Sequence, residues 1–145
     1  MIPKPPITGT IVLRFCMLAG LCDGLTGLLL VIAPNVTLGL MGIEPTTEPI
    51  LIRFIGVFVG GIGAAYWHPW WGHTSTLVNR ETGLRTLLEI TALCRIAVGL
   101  FVTVAILQGA LALPWWLVAA TDLALASAQL WTLRQDPSTE GFRHA

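Results

Sequence analysis

The sequence predicts an all-α integral membrane protein, a bundle of four transmembrane helices with a short interfacial helix after the first. Three observations predict it. The 145-residue chain is 54% hydrophobic and only 11% charged. Its mean hydropathy is +0.76. Its apolar residues gather into runs at residues 11–33, 50–67, 86–111 and 114–133. Soluble domains carry about 25% charged residues, so this composition falls in the membrane class.

Each run is close to the ~20 residues that a helix needs to cross a hydrocarbon layer about 30 Å thick. Lipid offers no partner to a free backbone N–H or C=O, and the runs lack the polar alternation of a barrel strand. Helices are therefore the assignment for all of them. The chain reads as a single membrane domain, 1–145, with a polar tail at 134–145.

The first run follows Lys4 and contains no A-x-A-like cleavage site. It exceeds the roughly 7–15 residues of a signal-peptide core, so a retained anchor is expected. Pro34 ends that helix or opens a short amphipathic one. Val36, Leu38, Leu40, Met41 and Ile43 give the short segment an apolar side for lying along an interface. A polar link at 73–85 joins the second and third runs, whereas residues 109–113 leave only a tight turn before the fourth. The last two helices should form an antiparallel hairpin.

Lys4, Arg14, Arg80, Arg85, Arg134 and Arg143 fall on one side of this arrangement, against Arg53 with Glu44 and Glu48 on the other. The positive-inside rule then places both termini in the cytoplasm. Trp67, Trp70, Trp71 and Trp131 collect at the inner interface and Trp115 with Trp116 at the outer one, an aromatic belt reached without counting charges.

The candidate site residues are the ionisable ones at membrane depth. Asp23, Arg95 and Asp122 come to about one level in the first, third and fourth helices. A lone charge there costs at least about 2.5–3.5 kcal/mol on insertion scales, so each should face the interior and find a partner. A salt bridge from Arg95 to Asp23, Asp122 or both is expected, because a guanidinium stays charged when desolvated and its planar fork can serve two carboxylates. Arg14 and Glu89, nearer the cytoplasmic side, form a candidate second pair. Such pairs fix helix register and rotation, or they line an ion or proton path.

Small residues mark the packing surfaces. Gly20 and Gly24 form a GxxxG in the first helix and Gly56 and Gly60 another in the second, while Ala120, Ala124 and Ala128 make a small-xxx-small stripe in the fourth. Packing inside the bundle is the expected use, and docking of a partner helix the alternative. Cys16, Cys22 and Cys94 lie inside apolar runs without C-x-x-C spacing and read as small buried hydrophobes.

The segment at 66–73 concentrates aromatic rings around His68 and His73. Its expected role is interfacial anchoring. His68 is the candidate ligand for a haem or chlorophyll-type pigment, with Ala64 one turn earlier leaving room for a macrocycle. Pro69 should break the helix just after it, and no second histidine lies in a membrane run, so no cofactor is expected beyond bound lipids. Eight basic and eight acidic residues leave no basic face, which argues against nucleic acid as a partner. The membrane runs hold no lysine, and there is no H-E-x-x-H, nucleophile elbow, phosphate loop or paired-cysteine motif, so no enzyme is expected.

Arg53-Phe54-Ile55-Gly56, followed by Gly60-Gly61-Ile62-Gly63, resembles the Arg-x-x-Gly start and glycine-rich continuation of small bacterial four-helix membrane proteins of the DoxX-like kind. Arg95 before a long apolar stretch and an acid in the fourth helix are also similar to that group. The resemblance implies a bacterial inner-membrane protein and confers no catalytic residue. The function expected is that of a non-catalytic accessory subunit of a larger, energy-transducing membrane complex, respiratory or photosynthetic, with lipids and other membrane subunits as partners. The alternatives are a small proton-linked transporter using Asp23, Arg95 and Asp122, and a haem- or pigment-binding protein using His68.

Overall fold

The structure, a computed structural model, describes residues 7–71 and 77–134, with side chains at 13–67 and 83–134. All regular structure among the described residues is helical. In chain order the helices are α1 (Ile7–Ile32), α2 (Pro34–Leu40), α3 (Pro49–Trp71), α4 (Leu77–Leu107) and α5 (Trp116–Arg134), with a 3₁₀ turn at Leu113–Trp115 leading into α5.

The stops are set by local chemistry. Ala33 leaves the helical region at φ −134°, and Pro34 then opens α2 at a first-turn position where its missing N–H costs nothing. α2 ends at Gly42 (φ +74°) and α4 at Gly109 (φ +72°). At both, the glycine N–H reaches back three residues and the next N–H reaches back five. The pairs are Gly42 to Gly39 and Ile43 to Leu38, then Gly109 to Ile106 and Ala110 to Ala105. Such a cap requires the left-handed backbone that glycine adopts without strain. Asn35 Oδ1 accepts the Thr46 N–H at 3.1 Å and Thr46 Oγ1 accepts the Glu48 N–H at 3.1 Å, which pins the turn into α3.

Four boundaries differ from expectation by four residues or more, with α1 starting at Ile7 and α4 stopping at Leu107 besides the two that follow. α4 begins at Leu77, well before residue 86, because the polar stretch up to Arg85 is made of helix-compatible residues that an apolar window overlooks. α3 runs through Pro69 to Trp71: the proline forfeits its own hydrogen bond to the carbonyl four residues back, but only two helical residues follow it.

The helices pack as two intimate pairs, α1 with α3 and α4 with α5, and the pairs touch each other far less. The buried positions explain this. In α4, Leu88, Ala92, Arg95, Gly99, Val102 and Ile106 alternate spacings of four and three, and in α5 Ala119, Ala126 and Gln129 follow the same repeat with half-buried Asp122 between them. That is the seam of antiparallel helices packed knobs-into-holes.

Between α1 and α3 the seam is backbone against backbone. A Cβ on Gly27 would sit 2.4 Å from Gly60 N and 2.6 Å from Gly56 O, and one on Gly63 would sit 2.5 Å from Gly24 N. A Cβ on Gly20 would lie 3.0 Å from Gly63 O, and one on Gly56 2.8 Å from Gly27 O. The closest approaches are Gly27 to Gly60 and Gly63 to Gly24, flanked by Gly20 with Gly63 and Gly27 with Gly56. Gly24 and Gly60 give their backbone to the contact, although their own Cβ positions are uncrowded. All four glycines of the two GxxxG frames thus lie on the seam, and Gly27 and Gly63 complete it.

The alanine stripe departs further from expectation. Ala120 and Ala124 are exposed and Ala128 is half-buried, while Ala119 and Ala126 face inward. In α4, Gly99 makes the matching space, since a Cβ there would meet the Leu123 side chain at 2.7 Å. Cys16 is fully buried, as expected of a small hydrophobe, but Cys22 and Cys94 lie on outward faces. The amphipathic side expected of α2 is divided, with Leu38 and Ile43 buried and Val36 and Leu40 exposed.

Leu13–Ile32 and Gly83–Leu107 are long and apolar enough to cross a membrane, at hydropathies of 2.1 and 2.3, and Pro49–Ala65 is a shorter apolar helix. An alanine at Gly27 drives a methyl into backbone that cannot swing away, so Gly27→Ala should destabilise the bundle by about 1–3 kcal/mol. Gly24→Ala, which meets open space, should change stability by less than about 0.5 kcal/mol. Equilibrium unfolding of both variants in detergent checks the contrast.

Candidate functional site

The heptad positions of α1, α4 and α5 bring three charged side chains into the middle of the bundle. Arg95 of α4 donates from Nη2 to Asp23 Oδ2 of α1 and from Nη1 to Asp122 Oδ1 of α5, the latter at 2.7 Å. The expected bridge is therefore made to both acids. The Arg95 side chain is 6% exposed, Asp23 10% and Asp122 18%, so all three ions are largely withdrawn from the surroundings. The Asp122 bond lies within one helix pair. The Asp23 bond joins the two pairs.

A second polar layer lies one helical turn away, and it escaped the sequence reading. Tyr66 of α3 donates to Thr91 Oγ1 of α4 at 3.0 Å, and Gln129 Nε2 of α5 donates to the Tyr66 hydroxyl and, at 3.0 Å, to Thr91 Oγ1. Thr91 passes its own proton to the Leu87 carbonyl at 2.8 Å. Tyr66 and Gln129 are completely buried. Thr91, one turn before Arg95 on α4, sets this layer directly beside the charged one, and the Tyr66 hydroxyl lies close to the Arg95 guanidinium. The signal was present: Thr91 precedes Arg95 by one turn, and Gln129 follows Asp122 by seven residues. Both sit on the face that carries the charges.

The bonding is not saturated. Arg95 Nε and Gln129 Oε1 are buried without a hydrogen-bond partner. Exchanging the amide ends of Gln129 moves the deficit to the nitrogen and does not remove it. Apolar clusters flank the layers. Cys16, Ala19, Tyr66, Leu84 and Leu88 tie α1, α3 and α4 together at one end, and Val102, Ile106 and Ala119 tie α4 to α5 at the other.

The expected Arg14 to Glu89 pair does not form. Glu89 meets Arg85 of its own helix at 3.4 Å, and Arg14 is exposed. The i,i+4 partner on one helix needs no approach between elements, so it prevails over a partner across the bundle. The His68 side chain lies outside the described residues, as does His73. Among the described residues no group of histidine, cysteine, aspartate or glutamate could hold a metal ion.

Compared with known families, curated proteins and solved structures, the chain matches none of them. What can be read about function therefore comes from the geometry above.

Replacing Arg95 alone strands two buried carboxylates, and breaking a buried ion pair from one side costs about 3–5 kcal/mol. Arg95→Met should lose about that much stability, whereas Arg95→Met combined with Asp23→Leu and Asp122→Leu should recover most of it. Unfolding curves for the single and triple variants in one detergent give the comparison.

Proposed function

We propose that this chain is a four-helix integral membrane protein of the bacterial inner membrane that serves as a non-catalytic accessory subunit of a larger, energy-transducing membrane complex. The observation that carries the reading is the inverted distribution of polarity. Leu18, Leu25, Ile32, Val57, Phe58, Leu93, Phe101 and Leu107 point outward, while Asp23, Arg95, Thr91 and Gln129 are buried. In water such a surface would associate without limit, whereas hydrocarbon and neighbouring helices accept it and drive ionisable groups inward.

The accessory role is supported by what the outer surface offers. Arg95 is occupied by Asp23 and Asp122 inside the bundle. Ala120 and Ala124, with Thr121 and Ser127, remain exposed along α5, a strip small enough to let another helix approach closely. The Thr121 and Ser127 hydroxyls are turned back onto carbonyls of their own helix at 2.8 and 2.7 Å, so the strip can meet an apolar neighbour. The DoxX-like pattern at Arg53 to Gly63 supports the same placement. α3, α4, α5 and α1 would be the four membrane helices, with α2 along the interface.

The test has two stages. The protein should stay with membranes through an alkaline carbonate wash and leave them only in detergent; release by carbonate ends the membrane reading. After gentle extraction it should migrate on native gels in fixed ratio with a large assembly, and Ala120→Leu with Ala124→Leu should release it from that assembly without unfolding it. Migration alone or as a small homo-oligomer would sink the accessory-subunit reading.

A further inference from the structure

The buried triad does not balance its charge. One guanidinium faces two carboxylates, so with all three ionised the site carries a net charge of −1. Each carboxylate uses one oxygen on one arm of Arg95, and neither makes the two-pronged pair that would best offset its loss of water. Among the described residues no further cation is paired with either carboxylate. α3 presents the phenol of Tyr66, α2 has no titratable side chain, Arg14 and Arg53 are exposed, and Arg85, ten residues before Arg95, is paired with Glu89. An uncompensated charge this far from water is strongly disfavoured, and the ordinary remedy is for the site to take up a proton.

We propose that Asp23, Arg95 and Asp122 form a one-proton binding site and that the proton resides on Asp122. The proton is preferred to a metal cation because both carboxylates are already engaged with Arg95 and no group of metal-binding side chains surrounds them among the described residues. Asp122 is preferred to Asp23 because a neutral Asp122 still accepts from Arg95 within its own helix pair, while the ionised Asp23 keeps the charge-assisted bond that joins the pairs. Moving the proton to Asp23 would weaken that join, so the position of the proton selects between a fastened and a loosened seam. The site lies inside the bundle and functions whether or not a partner subunit is docked outside.

Infrared spectroscopy of the full-length protein in lipid vesicles tests this directly, by the carbonyl stretch of a protonated carboxylic acid. At neutral pH the wild type should show about one such group per chain, and Asp23→Asn and Asp122→Asn should each abolish it, since either change leaves one carboxylate for one guanidinium. Asp122→Asn, which imitates the protonated acid, should unfold like the wild type, while Asp23→Asn should unfold more readily. Absence of the band in the wild type overturns the proposal, whether or not sodium binds instead. A band that persists in both variants belongs to another carboxyl and overturns it as well. Equal loss of stability in the two variants overturns the assignment to Asp122. Failure of the chain to stay in membranes through the carbonate wash would be seen separately and concerns only the membrane reading.

Discussion

The contact between Arg95 and Asp23 carries more of this architecture than its size suggests. Each helix pair is sealed by its own close packing, and the pairs meet through the apolar cluster at one end and, in the middle of the bundle, through this ion pair. A guanidinium on α4 that finds a carboxylate on α1 fixes the rotation of both helices and the height at which they meet. Lysine could not replace it, because a compact ammonium cannot hold Asp23 with one arm and Asp122 with another in a plane.

The two kinds of seam are complementary in their physics. Where Gly27 meets Gly56 and Gly60, dispersion between backbones provides the adhesion, and this is indifferent to pH. Where Tyr66, Thr91 and Gln129 meet, a slip of one residue would leave several buried polar atoms without partners. Glycine contact thus supplies closeness within the pairs, and the polar layers supply register between them. Buried polar groups are better suited to specifying an arrangement than to stabilising it.

Much of this was legible in the sequence. The apolar runs gave the helices, and the cost of an isolated charge was enough to predict that Arg95 would find Asp23, Asp122 or both; that it holds both came from the structure. The glycines announced which helices touch, and the four of the GxxxG frames do lie on the seam, but Gly27 and Gly63 were not among them, because spacing along one helix does not say which face the other approaches. Ala120 and Ala124 misled for the same reason: an alanine is compatible with an inner seam, a lipid face or a partner. Glu89 chose Arg85 over Arg14 because proximity along one helix outweighs proximity inferred from depth. The Tyr66, Thr91 and Gln129 layer was missed because none of the three is charged, although two of them repeat the register of the charged triad.

The order of the residues along the chain gives the Arg95 bridge a meaning during synthesis. Asp23 and Arg95 are separated by 72 positions, and Asp122 is made last. In the proposed membrane setting, the glycine-paired α1 and α3 can assemble first, holding a carboxylate with no cation to meet it. The arrival of α4 delivers that cation, and a positively charged helix enters the bilayer more readily when an acid is already waiting. The nascent first half of the protein would then act as the docking partner that lets the second half insert.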